Sequence, residues 1–298
     1  MVHDFPDDAK FLSPDDRMRV LRRLKADGQS SAEHEEFKMS YFWASVKDWK
    51  TWAFAVCYMG CDGALYAFSL FLPTIIQQLG YTSTKANLLS VPPYVAACIL
   101  TIFIGWLADR TKQRGWCNIG VSLIGITGFA MLLGAKTDQP GIKYAGTFLG
   151  AMGIYPCVAN TIVWAANNTE GVYKRGVTLG FVIGWGNLNG VVSSNIYRAK
   201  DKPNYRPGHA IVMAYMILFL LGGSLFSHFM LVAENKKRLA GKRDGLIAGK
   251  SAEEIELLGD KRYVQMIVRV LVTAADLNAD PTSSILCDMS PVCQNRTQ

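Results

Sequence analysis

The sequence predicts an all-α membrane protein built on six spanning helices. Two observations predict it. Apolar residues concentrate between Trp52 and Val232 in six runs, near 52–72, 88–108, 116–134, 144–166, 176–197 and 209–232. Each run is close to the roughly 20 residues that a bilayer-spanning helix needs. Both ends of the chain are strongly charged, so the 50% hydrophobic content of the 298 residues averages a membrane core with hydrophilic tails. The chain therefore divides into a cytoplasmic linker (1–50), a transmembrane domain (51–233) and a cytoplasmic tail (234–298).

The bulk charge points the same way. A net charge of +7 on a soluble domain would suggest nucleic acid as partner. Here the basic residues flank apolar runs, and aromatic and basic residues do not interleave, so the charge suits an inner membrane surface and not a nucleic acid. Cys57, Cys61, Cys98 and Cys157 lie inside apolar runs and Cys117 begins one; without metal-ligand spacing they read as small apolar residues. Cys287 and Cys293 fall in the tail. The acidic start His3-Asp4-Phe5-Pro6-Asp7-Asp8 is not a cleavable signal sequence.

In chain order, Ser13-Pro14-Asp15-Asp16 opens a helix, with Ser as cap, Pro at the first position and acid in the first turn. Met18, Leu21 and Leu24 share one face, and Arg17, Arg19, Arg22, Arg23 and Lys25 cover the rest. Such a helix is either a membrane-surface element or a solvated linker. Tyr41, Phe42, Trp43 and Trp49 form an aromatic belt at the membrane entry. The six runs follow with short connections, so neighbours are antiparallel and both tails share one side. With the tails inside, the inner loops 109–115 and 167–175 carry Arg110, Lys112, Arg114, Lys174 and Arg175. One outer loop, Arg198 to Arg206, breaks the positive-inside rule. After Val232 comes a basic stop. A capping box at Ser251–Glu254 opens a short helix ending at Gly259. A run near 263–274 is too short to span, and disorder is expected after about 262. The glycosylation patterns at Asn167 and Asn295 fall on the inside and are read as unused.

The chemistry sits where apolar runs carry polar groups. Asp62 lies mid-way along the first run, and an intramembrane carboxylate is by default a functional-site hypothesis. Tyr58, Asp62, Tyr66 and Ser69 recur at helical spacing and share a face; Gly63 and Pro73 would let the helix bend. In the fourth run, Gly150 and Gly153 permit close packing, Pro156 frees backbone carbonyls, and Asn160 and Trp164 follow at steps of four. They suit a small polar ligand with a flat part, or helix–helix bonding and an interfacial position. In the fifth run, Gly176, Gly180 and Gly184 make a flat packing seam, with Asn187 on nearly the same face and Trp185 and Asn189 opposite. Ser224 and His228 could touch, but no nucleophile elbow accompanies them. No cofactor or metal site is read from the sequence.

Between the second and third runs, Gly105-Trp106-Leu107-Ala108-Asp109-Arg110-Thr111-Lys112-Gln113-Arg114 is a compact charged turn, and Gly105 is expected to let two helices approach closely. The turn resembles the loop motif of the major facilitator superfamily of secondary transporters, with Gln113 where a basic residue is usual. The stretches LYAFSLFLPTIIQQLGYTSTKANLLSVPPYVAACI, GTFLGAMGIYPC and IGWGNLNGVVSSNIYRAKDKPNY resemble the carboxyl half of fungal allantoate permeases, within the anion:cation symporters. The likeness covers about residues 1–262. It implies helices 7 to 12 of a twelve-helix transporter, with residues 1–50 the second part of the central cytoplasmic loop. It further implies alternating-access symport of a small organic anion such as allantoate, nicotinate or a vitamin-like carboxylate, with a proton, at the plasma membrane. Asp62, Tyr58 and Tyr66 would then line the cavity, Asp62 as proton site. Asn160 and Trp164 would contact substrate, Asn187 would lie at the cavity edge or in helix packing, and Gly105, Asp109, Arg110 and Arg114 would form a cytoplasmic gate. A missing amino-terminal six-helix half, or a second protomer, would complete the site. The rival readings are a non-transporting scaffold or sensor, an inactive truncated product, and an intramembrane protease.

Overall fold

The computed structural model describes residues 12–26, 39–77, 79–136, 139–169, 172–198, 201 and 205–240. The linker between the first two helices, the Ser251–Gly259 helix, the run near 263–274, Cys287, Cys293 and Asn295 lie outside the described residues. No strand occurs among those described. Helix α1 (Pro14–Ala26) starts where the sequence places it: Ser13 Oγ accepts from the Asp16 N–H at 3.2 Å and donates to its carboxylate at 2.7 Å. Helix α2 (Met39–Val46) leads into α3 (Trp49–Gln77). Then come α4 (Ser83–Leu89) and α5 (Val91–Thr111), α6 (Arg114–Gly134), α7 (Pro140–Asn167), α8 (Val172–Asn187) and α9 (Asn189–Ser193). The last rod is composite: α10 (Arg206–Tyr215), a π-helical turn (Met216–Leu221) and α11 (Gly222–Leu239).

Among the described residues, five helices are long and apolar enough to cross a membrane: Trp49–Gln77, Ser83–Thr111, Arg114–Gly134, Pro140–Asn167 and Arg206–Lys237. The run expected as one helix over 176–197 is instead two, α8 and α9, interrupted at Leu188. The cause is local. Gly184, Gly186 and Gly190 surround Asn187 and Asn189, all weak helix formers. The Asn189 side chain donates to the Gly186 carbonyl at 3.1 Å and so competes with the backbone ladder. Residues 172–193 together still rise roughly 33 Å, enough for a hydrocarbon core of about 30 Å.

Helix α3 is the centre of the bundle. Ala64, Ala67, Phe68, Leu72 and Ile76 are fully buried along it, and it packs against α7, α8, α9 and the composite last rod. Helix α7 in turn carries α5 and α6. Without a hydrophobic force between helices in lipid, close packing must hold the bundle, and small residues provide it. A Cβ at Gly153 would run into the Gly125 backbone, one at Gly128 into the Gly150 backbone, and one at Gly60 into the π turn at Leu220.

Two glycine expectations are corrected. Gly105 faces open space among the described residues, and the close approach beside the charged turn is made by Gly115, against Trp164 and His228. Gly176, Gly180 and Gly184 also meet nothing within 4 Å; the packing glycine of α8 is Gly186. The seam faces outward because α3 takes the side of α8 that carries Val182 and Gly186.

Gly153→Val should lower the thermal midpoint of the detergent-solubilised chain, with an overpacking cost of about 1–3 kcal/mol. Gly180→Ala, in open space within α8, should not lower the midpoint and should raise it slightly, by up to about 1 kcal/mol of stability, in the same melt.

Candidate functional site

The polar face of α3 closes against α8. Tyr58 and Asp62 are 5% and 4% exposed. Gly186 permits this: a Cβ there would collide with the Tyr58 ring and sit 3.1 Å from Asp62 Oδ2. The absent side chain lets the carboxylate lie against the α8 backbone. Asp62 Oδ2 is buried and has no hydrogen-bond partner among the described residues. One helical turn on, Tyr66 Oη donates to Asn187 Oδ1 at 2.7 Å, and Asn187 is exposed. Ser69 Oγ lies 2.8 Å from Tyr155 Oη on α7, whose ring meets Tyr94 edge-on at 5.6 Å. The structure thus brings Tyr58, Asp62, Tyr66 and Asn187 together on one α3–α8 surface, with one buried carboxylate oxygen unbonded among the described residues.

Asn160 goes elsewhere. Its Oδ1 accepts from Arg114 Nη1 at 3.1 Å, and its Nδ2 donates to the Arg114 carbonyl at 2.9 Å and to Asn118 Oδ1 at 3.2 Å. Asn118 donates onward to Thr161 Oγ1 at 3.1 Å and Ser224 Oγ at 2.9 Å. Ser224 Oγ also lies 3.3 Å from Cys57 Sγ. A buried polar thread therefore links the charged turn to the first, third, fourth and last rods. Asn118 was missed in the sequence, although an amide inside an apolar run is the same signal that marks Asp62. Trp164 is 1% exposed and packs edge-on to Phe54 at 5.1 Å, so it forms wall and not surface. Ser224 is engaged by Asn118 and Cys57, while His228 rests against Trp116 at 5.0 Å with its Nδ1 unbonded among the described residues. No Ser–His pair forms.

The turn itself is tight because Lys112 takes a left-handed conformation, φ 58°. Asp109 pairs with Arg114, whose side chain is 8% exposed against 68% for Asp109. Arg110 does not join that pair; its guanidinium lies 5.3 Å over the Trp106 ring. A second charged junction, also unforeseen, sits at the same end of the bundle. Asp48 Oδ2 pairs with Lys174 at 2.9 Å and Lys50 at 3.5 Å, and Lys50 donates to the Asn168 carbonyl at 3.0 Å. It fastens the α2–α3 corner to the α7–α8 loop. No cluster of three or more His, Cys, Asp or Glu that could hold a metal occurs among the described residues.

Residues 11–194 match the family model described as Major Facilitator Superfamily. The chain belongs to this superfamily. It is similar to the high-affinity nicotinic acid transporter of Saccharomyces cerevisiae, with 32% identity over 234 residues, covering 78% of this chain and 43% of that protein. An uncharacterized transporter of Schizosaccharomyces pombe is 34% identical over 235 residues, 78% of this chain and 47% of the relative. An MFS-type transporter of Penicillium expansum is 29% identical over 234 residues, 77% and 45%. The chain spans less than half the length of these relatives. The superfamily chain is an integral, multi-pass, all-α membrane protein corresponding to a half of the twelve-helix fold. Its relatives are named as transporters; it is not an enzyme, and the protease reading of Ser224 and His228 falls.

Asn118→Leu should destabilise the purified chain by about 1–3 kcal/mol, because it strands buried partners on three rods. Asp109→Asn, which keeps an acceptor for Arg114 but removes its counter-charge, should lower the midpoint in the same thermal melt, and Asp109→Ala, which removes both, should lower it further.

Proposed function

We propose that this chain supplies one half of a proton-coupled carrier of small organic anions that works by alternating access. The observation that carries the reading is Asp62: a carboxylate in the middle of a spanning helix, 4% exposed, with one oxygen unbonded among the described residues. Such a group is costly in a membrane and is retained where it binds an ion or a proton. A carboxylate-bearing substrate cannot settle beside an ionised Asp62 without like-charge repulsion. Protonation of Asp62 removes the repulsion, so proton and anion enter together. Tyr58, Tyr66 and Asn187 shape the polar wall around it, while Asn160 and Trp164 act behind that wall.

No Arg or Lys occupies the middle of a spanning helix among the described residues, so the substrate's counter-charge comes from the other six-helix half or from a second protomer. The Asp109–Arg114 turn and the Asp48–Lys174 junction lie at the end that the basic loops assign to the cytoplasm. The pairing of Arg114 with Asp109 and Asn160 holds that end as the gate. The name of the Saccharomyces cerevisiae relative favours nicotinate as substrate. Allantoate is the second substrate that the resemblance to the allantoate permeases supports.

The test is uptake of radiolabelled nicotinate and allantoate by yeast expressing this chain alone or joined to six upstream spans from a relative. Uptake is expected only for the joined protein and should rise at acidic external pH. Asp62→Asn in the joined protein should lose most of the acid-stimulated component. Unchanged uptake and pH dependence in that variant would sink the proton role.

A further inference from the structure

Three half-buried hydroxyl side chains that the transport reading leaves unused meet near the middle of the bundle. Ser69 stands on α3 about two turns beyond Asp62, Tyr155 near the middle of α7, and Tyr94 near the middle of the rod Ser83–Thr111. Ser69 Oγ lies 2.8 Å from Tyr155 Oη. The Tyr94 and Tyr155 rings meet at 5.6 Å with their planes 84° apart. The group thus joins three spanning rods that are distant in sequence. Hydroxyls left half open at this depth are costly against lipid and suit a wetted face that a polar ligand reaches.

Each part offers a ligand something different. A bond between two hydroxyls uses one of their two protons, whichever of them donates, so the Ser69–Tyr155 pair keeps a proton for an outside acceptor. The two tyrosine rings stand nearly at right angles, so a third flat ring can stack on one and meet the other edge-on, an arrangement that aromatic groups prefer. About one turn back along α3, Tyr66 Oη donates to Asn187 Oδ1, which leaves the Asn187 amide N–H groups for a carboxylate. Tyr66 and Ser69 are three residues apart, neighbours on one helix face. The rise between them is about 4.5 Å, which suits the two ends of a single six-membered ring that carries a carboxylate.

We propose that Ser69, Tyr94 and Tyr155 form the subsite that recognises the ring of the carried anion, and that this anion is a heteroaromatic carboxylate. Its carboxylate meets the Asn187 amide, its ring lies in the Tyr94–Tyr155 corner, and its ring nitrogen accepts from the Ser69–Tyr155 pair. The spare hydroxyl proton sets the specificity: a benzoate has the same shape but no ring acceptor, and it leaves the donor unpaired. The assignment rests on the organic-anion reading above and narrows it to one class of substrate.

The test measures binding, not transport. Nicotinate and benzoate, two carboxylates that differ at one ring atom, are titrated onto the full purified chain in detergent and followed by saturation-transfer NMR, with empty micelles subtracted. Nicotinate should bind about tenfold more tightly than benzoate. Ser69→Ala and Tyr155→Phe should each abolish that preference by weakening nicotinate alone. Ser69→Thr should retain it, and Tyr94→Ala, which removes a wall of the corner, should weaken both ligands together. A hydroxyl pair that only ties α3 to α7 would lower the thermal midpoint of the Ala and Phe variants and leave the preference intact, and that result would overturn the proposal. Equal binding of the two carboxylates by the wild type, or binding of neither, would also overturn it. Selective binding by this chain with no uptake by the joined transporter would leave the subsite standing and remove the transport reading. Uptake by the joined transporter with benzoate competing as well as nicotinate would do the reverse.

Discussion

A guanidinium buried at a helix terminus must find acceptors, and Arg114 finds them on two other residues at once. Asp109 neutralises it from the exposed side of the turn, and Asn160 accepts from it out of the fourth spanning helix. Everything deeper follows from that choice. Because Asn160 is committed to Arg114, its amide N–H groups reach Asn118, and Asn118 reaches Thr161 and Ser224. In a medium without water, each of these groups would be costly alone. Linked, they fix the rotation of four rods about one polar line. The glycine contacts at Gly125 and Gly153 then let the backbones close around it.

The same logic separates two kinds of buried polar group. Asn118, Asn160, Thr161 and Ser224 are bonded to one another and hold the bundle. Asp62 is not: Gly186 brings it against α8 without supplying a donor to its Oδ2. The interruption at Leu188 follows directly after this contact, and Asn187 at its edge is tied to Tyr66. A carboxylate whose Oδ2 has no bonded partner among the described residues, beside a broken helix, is the part of the structure whose charge state can change without dismantling the thread.

Much of this was legible in the chain itself. The Tyr58–Asp62–Tyr66–Ser69 face can be read from spacing along one helix, and the charged turn from its composition. The partners could not be read, because they depend on which helices meet. Asn160 carries the same local signal whether it faces a substrate or a guanidinium, and only the α6–α7 crossing decides. The glycines failed for the same reason: Gly105 and the Gly176–Gly184 seam have the right spacing for packing, but the helices that this chain places beside them lie elsewhere. The break at Leu188 was signalled by Asn187, Asn189 and three glycines, though the apolar run around it masked the signal. The π turn within MILFLL carries no local mark, and its contact with Gly60 is tertiary.

The central claim is that Asp62 changes protonation when an organic anion binds. Infrared difference spectroscopy of the joined transporter, with and without nicotinate, tests it most directly. The account predicts that nicotinate raises a protonated-carboxyl C=O band, that the band shifts in heavy water, and that it is absent in Asp62→Asn. A spectrum in which nicotinate binds and no carboxyl band changes would contradict it.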